Sequence, residues 1–544
     1  MNKKKIILAI VMAAMALGVF AQWQPSDKDY TRLDKEGTYG QMQPKSLMTA
    51  DGKTVLTWLR QPELDLNDPA MGFYLHLQIF DAEGKALFGD EGILVSDKPT
   101  ASYTTDYGLC LAPNGDILIA FPDTRNDPQK NDWEVYAYRY DLQGQPVWSA
   151  DGVKVNAKVV HVEGSESSPL FCVSGDKIFL SLEHMESWQE KANENNWQPD
   201  PNFPDEPMPE YVTLGYSDYQ VMRLNDDGSA AWADNYQLER IMMVMAAAPE
   251  GSVYLIYNNE TFGLEAQRLN HDGQLVWASP VTVEPQPLSP GNYMPKPLCV
   301  VDEEGGVTLA YRILTDWGGY EAYNRLSPDG KVFETSVLAD GSTEGDAGAD
   351  ALATRDQLVF VAWELKMEGL MMYANLFKLD GNYAWEGPKV DGIALDAFSE
   401  WSFRPVKIIP QDDGWVLLYG NATDWNAAKF IACKINDEGE IMWSKQLAEG
   451  DFRSSGFSIV SDGDYAYIFF TRDEEFEENG NVIPGSGGLF VMCVDISNAG
   501  NPSAIRSVPV MNERGVVRYN LHGQRVNDRY KGIVITNGKK SITK

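Results

Sequence analysis

The chain has 544 residues, 44% apolar and 23% charged, with 47 Gly and 29 Pro. A sequence of this size and balance buries a large core and is neither a disulfide-stapled miniature nor a disordered segment. Its 79 acidic residues outnumber 45 basic ones, and the net charge of −34 repels phosphate backbones and anionic lipid surfaces, so nucleic acid is excluded as an expected partner.

The first 21 residues carry Lys3, Lys4 and Lys5, an apolar run from Ile6, and small residues ending at Ala21. This is the pattern of a secretory signal peptide, and the run is shorter than the roughly 20 residues a spanning helix needs. No later stretch is long and apolar enough, so no transmembrane segment is expected in the mature protein. The expected organisation is a signal peptide at 1–21, a body at 22–507 and a C-terminal tail at 508–544. The expected location is secreted or cell-surface, with the periplasm as the other destination.

The body repeats itself. A β-rich run, an Asp or Asn, a turn ending in Gly and an aromatic four residues later recur as QIFDAEGKALF, YRYDLQGQPVW, MRLNDDGSAAW, QRLNHDGQLVW, FKLDGNYAW and CKINDEGEIMW, with turn glycines Gly84, Gly144, Gly228, Gly273, Gly381 and Gly439. Two degenerate copies centre on Gly330 and Gly500. Each is preceded by a second hairpin of different texture, such as LCLAPNGDILIAFPD at 109–123 or IIPQDDGWVLLYG at 408–420. One unit is therefore four short strands, and the regular period points to an all-β fold, a β-propeller of four-stranded blades. Eight blades follow from the count, and seven if the first or last unit is incomplete. The aromatic after each outer turn is expected to cover the seam between neighbouring blades.

The Asp-Gly turns lack the alternating carboxylates of a calcium loop and suit tight hairpins. No metal is expected there, and no cofactor fingerprint is present. Cys110, Cys172, Cys299, Cys433 and Cys493 fall at repeat-equivalent strand positions, which suits small buried fillers better than disulfide partners.

The two tight turns of a blade share one face, so the variable loops share the other, where function is expected. At the exits of the second strands the sequence places Trp58 and Arg60, Asp123 and Arg125, Glu183 and His184, Arg312, Trp363 and Glu364, and Arg472 and Asp473. Arginines and carboxylates interspersed with aromatic rings suit a sugar or a peptide, with rings for stacking and charges for orientation. The other account is that the rings seal the core and the charges pair across blades. An insertion at 185–218 brings Trp188 and Trp197 to the same face among eight acidic residues and reads as a binding lid or as a flap over its own blade. A second acidic insertion, 471–488, reads as a solvated hairpin end.

The last segment reverses the charge. Met511 to Lys544 hold eight basic residues against Glu513 and Asp528, with strands expected at 516–521 and 532–536. Its text Y-N-L-x-G-Q-R-V, then K-G-I-x-I-x-N-G-K-K and a terminal Lys, resembles in shortened form the sorting tails of type IX secretion. That resemblance implies delivery across the outer membrane by the matching export machinery. The body, through FPDTRNDPQKNDWEVYAYRYDLQGQPVW at 121–148, resembles secreted bacterial propellers, which implies a fold and export but no reaction.

No nucleophile elbow, P-loop or dinucleotide fingerprint is present, and the S-x-D-x-G-x-T-W boxes of sialidases are missing. The expected function is an exported binding propeller for a glycan or a protein, with no catalytic residue assigned. The alternative is a carbohydrate-active enzyme, glycosidase or sialidase-like, using the loop-face carboxylates and arginines. A scaffold within a surface complex is the third reading.

Overall fold

The computed structural model describes Trp23 to Ser497 apart from short connecting segments, the longest being 62–71, and strands of the tail between Arg518 and Thr543. The segment read as a signal peptide and the repeat around Gly500 lie outside the described residues. No helix among the described residues is long and apolar enough to cross a membrane.

The body is all-β, a β-propeller of eight four-stranded antiparallel blades, the first seven of them meanders of sequential strands. Blade 1 comprises Gln41–Met48, Thr54–Arg60, Tyr74–Phe80 and Ile93–Leu94, and blade 2 comprises Gly108–Leu111, Ile117–Asp123, Glu134–Tyr140 and Val153–Lys154. Blade 3 comprises Ser165–Ser174, Lys177–Lys191, Tyr211–Leu224 and Tyr236–Leu238, and blade 4 Met242–Ala248, Ser252–Asn258, Leu264–Leu269 and Val281–Glu284. Blade 5 runs from Leu298 to Glu334 and gains a fifth strand, Ala339–Asp340. Blades 6 and 7 occupy Asp346–Phe398 and Val406–Gly450. Blade 8 holds Phe457–Ser461, Tyr465–Glu478 and Asn481–Asp495, and Thr31–Arg32 from the other end of the chain supplies its fourth strand. The sequence assigned that place to the degenerate copy at Gly500, and the N-terminal strand takes it instead.

Two compact units divide these blades. One holds residues 60–75 and 94–398, hence blades 2 to 6; the other holds 1–59, 76–93 and 399–544, hence blades 7 and 8, most of blade 1 and the tail. In the first unit, successive residues of one strand pack against different neighbours. Ile178, Leu180 and Leu182 join Leu118, Ala120 and Ala137 of blade 2, whereas Phe179 joins Val253 and Leu255 of blade 4. A strand buried on both faces needs an uninterrupted apolar run, which explains Ile178–Leu180.

The recurrent tryptophans lie in these seams. Trp148 donates its indole N–H to the Asp226 carbonyl of the next blade's outer turn at 2.7 Å, and Trp232 does the same to His271 at 2.8 Å. At Gly228, with φ of 85°, an added Cβ would stand 3.0 Å from the Trp148 ring. The position thus needs glycine for its backbone and for the close approach of the ring. In the other unit Trp23 occupies the same place against the outer turn of blade 1, 2.8 Å from where a Cβ on Gly84 would sit. It packs on Phe80, Tyr467 and Phe469 at ring separations of 4.6, 5.4 and 5.6 Å.

A basic residue two positions before the outer turn ties three structures together. Arg139 Nε donates to Asp116 at 2.8 Å and Nη1 to the Asp226 carbonyl at 3.0 Å. Arg268 reaches Ser252, the Pro249 carbonyl and the Pro328 carbonyl. Arg325 pairs with Asp302 at 2.6 Å and Glu304 at 2.8 Å. The turn carboxylates are occupied by the backbone: Asp141 Oδ1 accepts from the N–H groups of Gln143 and Gln145. This is the hairpin role expected of them.

All five cysteines are free thiols. Burial pushes the Cys110 thiol up to about 11 and Cys299 up to about 12, as suits inert fillers. The tail strands Arg518–Asn520, Arg525–Val526, Gly532–Thr536 and Lys539–Thr543 form one antiparallel sheet.

Candidate functional site on the blade 3 hairpin

Blade 3 carries a hairpin that outgrows its sheet. Its second and third strands stay in register from Ile178↔Leu224 to Lys191↔Tyr211 with no shift. The insertion at 185–218 thus begins and ends as a two-stranded ladder, Met185–Lys191 against Tyr211–Asp218, and Trp197 sits half-buried beyond it.

Strand alternation decides what this ladder presents. Leu182, His184, Glu186 and Trp188 share one face and lie opposite Gln220, Asp218, Tyr216 and Leu214. Moving outward, the face passes from apolar core to a buried polar layer and then to aromatic rings. His184, Glu186, Asp218 and Gln220 are all buried. The connection between blades 2 and 3 lies across this layer and is held by it. The Glu186 carboxylate accepts from the N–H groups of Val160 at 2.6 Å, His161 at 2.7 Å and Val162 at 3.1 Å. Gln220 accepts from the Lys158 N–H and donates to the Lys158 carbonyl. Glu166 accepts from the Ala157 and Val135 N–H groups. Five backbone N–H groups between Ala157 and Val162, in a stretch that forms no strand, thereby find side-chain acceptors in place of a ladder.

The connection in turn delivers a ring. His161 stacks on Trp188 at 4.4 Å and 28°, and meets Tyr216 edge-on at 5.6 Å. The Trp188 indole N–H donates to Glu190 at 3.0 Å, and the Tyr216 hydroxyl donates to Asp218 at 3.3 Å. Val159, Val160 and Tyr211 are 48%, 43% and 55% exposed, so an apolar and aromatic surface stands on a polar, rigid base.

His184 lies between two carboxylates, Nδ1 3.4 Å from Asp218 and Nε2 3.8 Å from Glu186. The hydrogen bond to Asp218 raises its pKa above the ordinary 6.5. Burial works against the charge on Glu186 and Asp218, but the N–H donors on Glu186, and His184, Gln220 and Gln237 on Asp218, hold both below their ordinary 4.5 and 3.8. The carboxylate contributions are present above those ordinary values and are lost as pH falls through the lowered ones. The His184 contribution is complete below 6.5 and is lost as pH rises through its raised value. All three coexist between roughly pH 4.5 and 6.5. Amide exchange at Val160, His161 and Val162 is expected to be most protected there, with several-fold lower protection once the pH has risen through the raised His184 value. His184→Gln should abolish that alkaline decline, and an unchanged profile in the variant would assign the decline elsewhere.

The other residues expected at the loop face have varied placements. Trp58 and Asp123 are buried, as is His184, and they serve the blades that contain them. Trp58 stacks on His76 at 5.4 Å. Asp123 and Arg125 form a multiply hydrogen-bonded pair, Nη2 to Oδ2 at 2.7 Å, and Arg125 also donates to the Tyr138 hydroxyl and the Asp151 carbonyl and lies 3.4 Å over the Tyr136 ring. Its donors are thus largely committed within blade 2. Glu183 and His184 face opposite sides of their strand, Glu183 accepting from Ser167, so the two do not converge. Arg60 and Arg312 are half-buried, and Arg472 donates to the Tyr30 hydroxyl. Trp363, Glu364 and Asp473 lie in strands, and their side chains fall outside the described residues. Trp188 alone of the expected residues joins the aromatic cluster. His161, Tyr216, Glu186, Asp218 and Gln220 were missed. The signal was the alternation H-x-E-x-W at 184–188 facing Y-x-D-x-Q at 216–220, visible only once the register pairs them.

The sequence matches no protein-family model and no curated protein. Solved structures similar to it include the WD40 domain of SCAP from fission yeast, 9% identical, covering 87% of this chain and 95% of that one with a TM-score of 0.40. The periplasmic gluconolactonase of Pseudomonas aeruginosa is 15% identical, covering 69% and 93% with a TM-score of 0.37. NanB sialidase from Streptococcus pneumoniae is 10% identical, covering 87% and 71% with a TM-score of 0.32. At these identities and TM-scores none of them carries an argument about what this chain binds or does.

Proposed function

We propose that this chain is an exported binding propeller whose ligand, a glycan or a protein, is taken at the loop face of blade 3, with the basic tail serving its export. One observation carries the reading: the exposed His161 and the half-buried Trp188 and Tyr216 form a ring cluster that stands on a buried network fixing both hairpin and connection. Rings held in advance at a surface bind with little ordering cost, which is what a recognition platform requires. Arg125, which an enzymatic reading would use at the loop face, is instead committed to Asp123, Tyr138 and Asp151 within blade 2.

The test is a glycan and peptide array on the full chain beside Trp188→Ala. Trp188→Ala is expected to weaken any ligand of this site about tenfold or more while leaving the melting midpoint near that of the parent, since the ring lies beyond the buried layer. Equal binding by both proteins would remove the platform from consideration, and release of a cleaved product would replace the binding reading with an enzymatic one.

A further inference from the structure

The outer edge of that hairpin is unpaired. The fourth strand of blade 3 covers the third only at Tyr219, Gln220 and Val221, so Tyr211–Ser217 has a ladder partner on one side and, among the described residues, none on the other. The backbone directions follow from the turn below. The Arg223 carbonyl accepts from the Ala231 N–H on the outer side. With no register shift between Tyr211 and Leu224, the odd-numbered residues face outward. Tyr211, Thr213, Gly215 and Ser217 therefore present N–H and C=O groups to the outside.

Blades 4 to 7 cover this edge, whereas in blade 8 the third strand, Asn481–Asp495, meets its outer partner only at Phe490 and Val491. In blade 5 the added strand Ala339–Asp340 pairs with Tyr320 and Glu321. In blades 6 and 7 the third strands are paired from their first residues, Leu370↔Phe398 and Ala428↔Gly450. In blade 4 Leu264 is paired with Glu284. The blade 3 edge also lacks the usual protections, since Y-V-T-L-G-Y-S has no Pro, Lys or bulge.

We infer that Tyr211–Ser217 is a strand-addition site for an extended, basic segment of a partner protein. The inference rests on the binding reading above and names its partner class. An added strand forms main-chain hydrogen bonds with the outward groups and gains specificity from alternate side chains. One face of the edge carries Leu214 and Tyr216 beside Trp188 and the exposed Glu190, with exposed Glu194 and Glu210 at the hairpin end. That face suits Lys or Arg, through ion pairs and cation–π contact. The other face carries Tyr211, Thr213 and Ser217, which suit β-branched residues. The same acidic groups oppose edge-to-edge pairing of two copies, which would bring like charges together.

The probe is an alternating Lys-Val peptide, with an alternating Glu-Val peptide as control, titrated into the full chain. The Lys-Val peptide is expected to bind, to weaken with salt, and to slow amide exchange at Tyr211, Thr213, Gly215 and Ser217. Thr213→Pro removes an outward donor without touching the ladder to Lys177–Lys191 and is expected to weaken binding at least tenfold, whereas Thr213→Val retains it. Protection at those four amides in the parent chain tests the inference even if the proline variant misfolds. Equal binding of both peptides, or no protection along the edge, overturns it. So does a dimer that Thr213→Pro returns to monomer, because a second copy would then be the occupant. Loss of array ligands in Trp188→Ala with no Lys-Val binding would sink the strand-addition site and leave the platform standing.

Discussion

Arg325→Ala is expected to be among the most damaging single substitutions, costing about 3 to 5 kcal/mol, the range for breaking a buried ion pair from one side. The Arg325 and Asp302 side chains are 4% and 0% exposed. Asp302 Oδ1 meanwhile accepts from the N–H groups of Glu304 and Gly306, which keeps the carboxylate in place and leaves it without its cation. Urea unfolding is the measurement, and the conservative Arg325→Lys should recover only part of the loss, because one ammonium cannot reproduce the fork to Asp302 and Glu304. A loss under 1 kcal/mol would mean that water reaches Asp302 and screens it.

Trp23→Ala is expected to cost a similar amount, about 3 to 5 kcal/mol, the range for truncating a buried aromatic to a methyl group. Trp23 is 4% exposed and packs with Leu56, Trp58, Phe80, Phe469 and Val491. The eighth repeat has no aromatic after its turn, and Trp23, from the opposite end of the chain, fills that place against Gly84. Thr31 and Arg32 then pair with Val491 and Phe490. Removal of residues 22–34 should therefore destabilise more than Trp23→Ala alone, and Trp23→Phe less. If Trp23→Ala unfolds at the same urea concentration as the parent, the N-terminal segment does not hold the blade 8 sheet to blade 1.

The architecture was legible because it is written in short-range chemistry repeated many times. Asp141, Gly144 and Trp148 each satisfy a local demand, respectively an Asx turn, a positive φ and a seam to fill, and the same demands recur in other blades. Register alternation within a strand was legible for the core runs but not for the site. His184 and Glu183 looked like one cluster by adjacency, whereas a strand sends them to opposite faces. His161 carried no signal of its own, since its position depends on Glu186, 25 residues later, holding its N–H.

What the sequence by itself determined is the repeat, the turn residues, the seam tryptophans and the acidic surface, because each depends on neighbours within a few residues or on composition; the count of units stayed between seven and eight. The tertiary structure alone decided that Trp23 and Thr31–Arg32 complete the last repeat, that Asp123 and Arg125 are spent on each other, and that His161, Trp188 and Tyr216 meet. Those outcomes depend on which strands lie side by side and in what register. Register is set by the summed burial of whole faces rather than by any residue at the site.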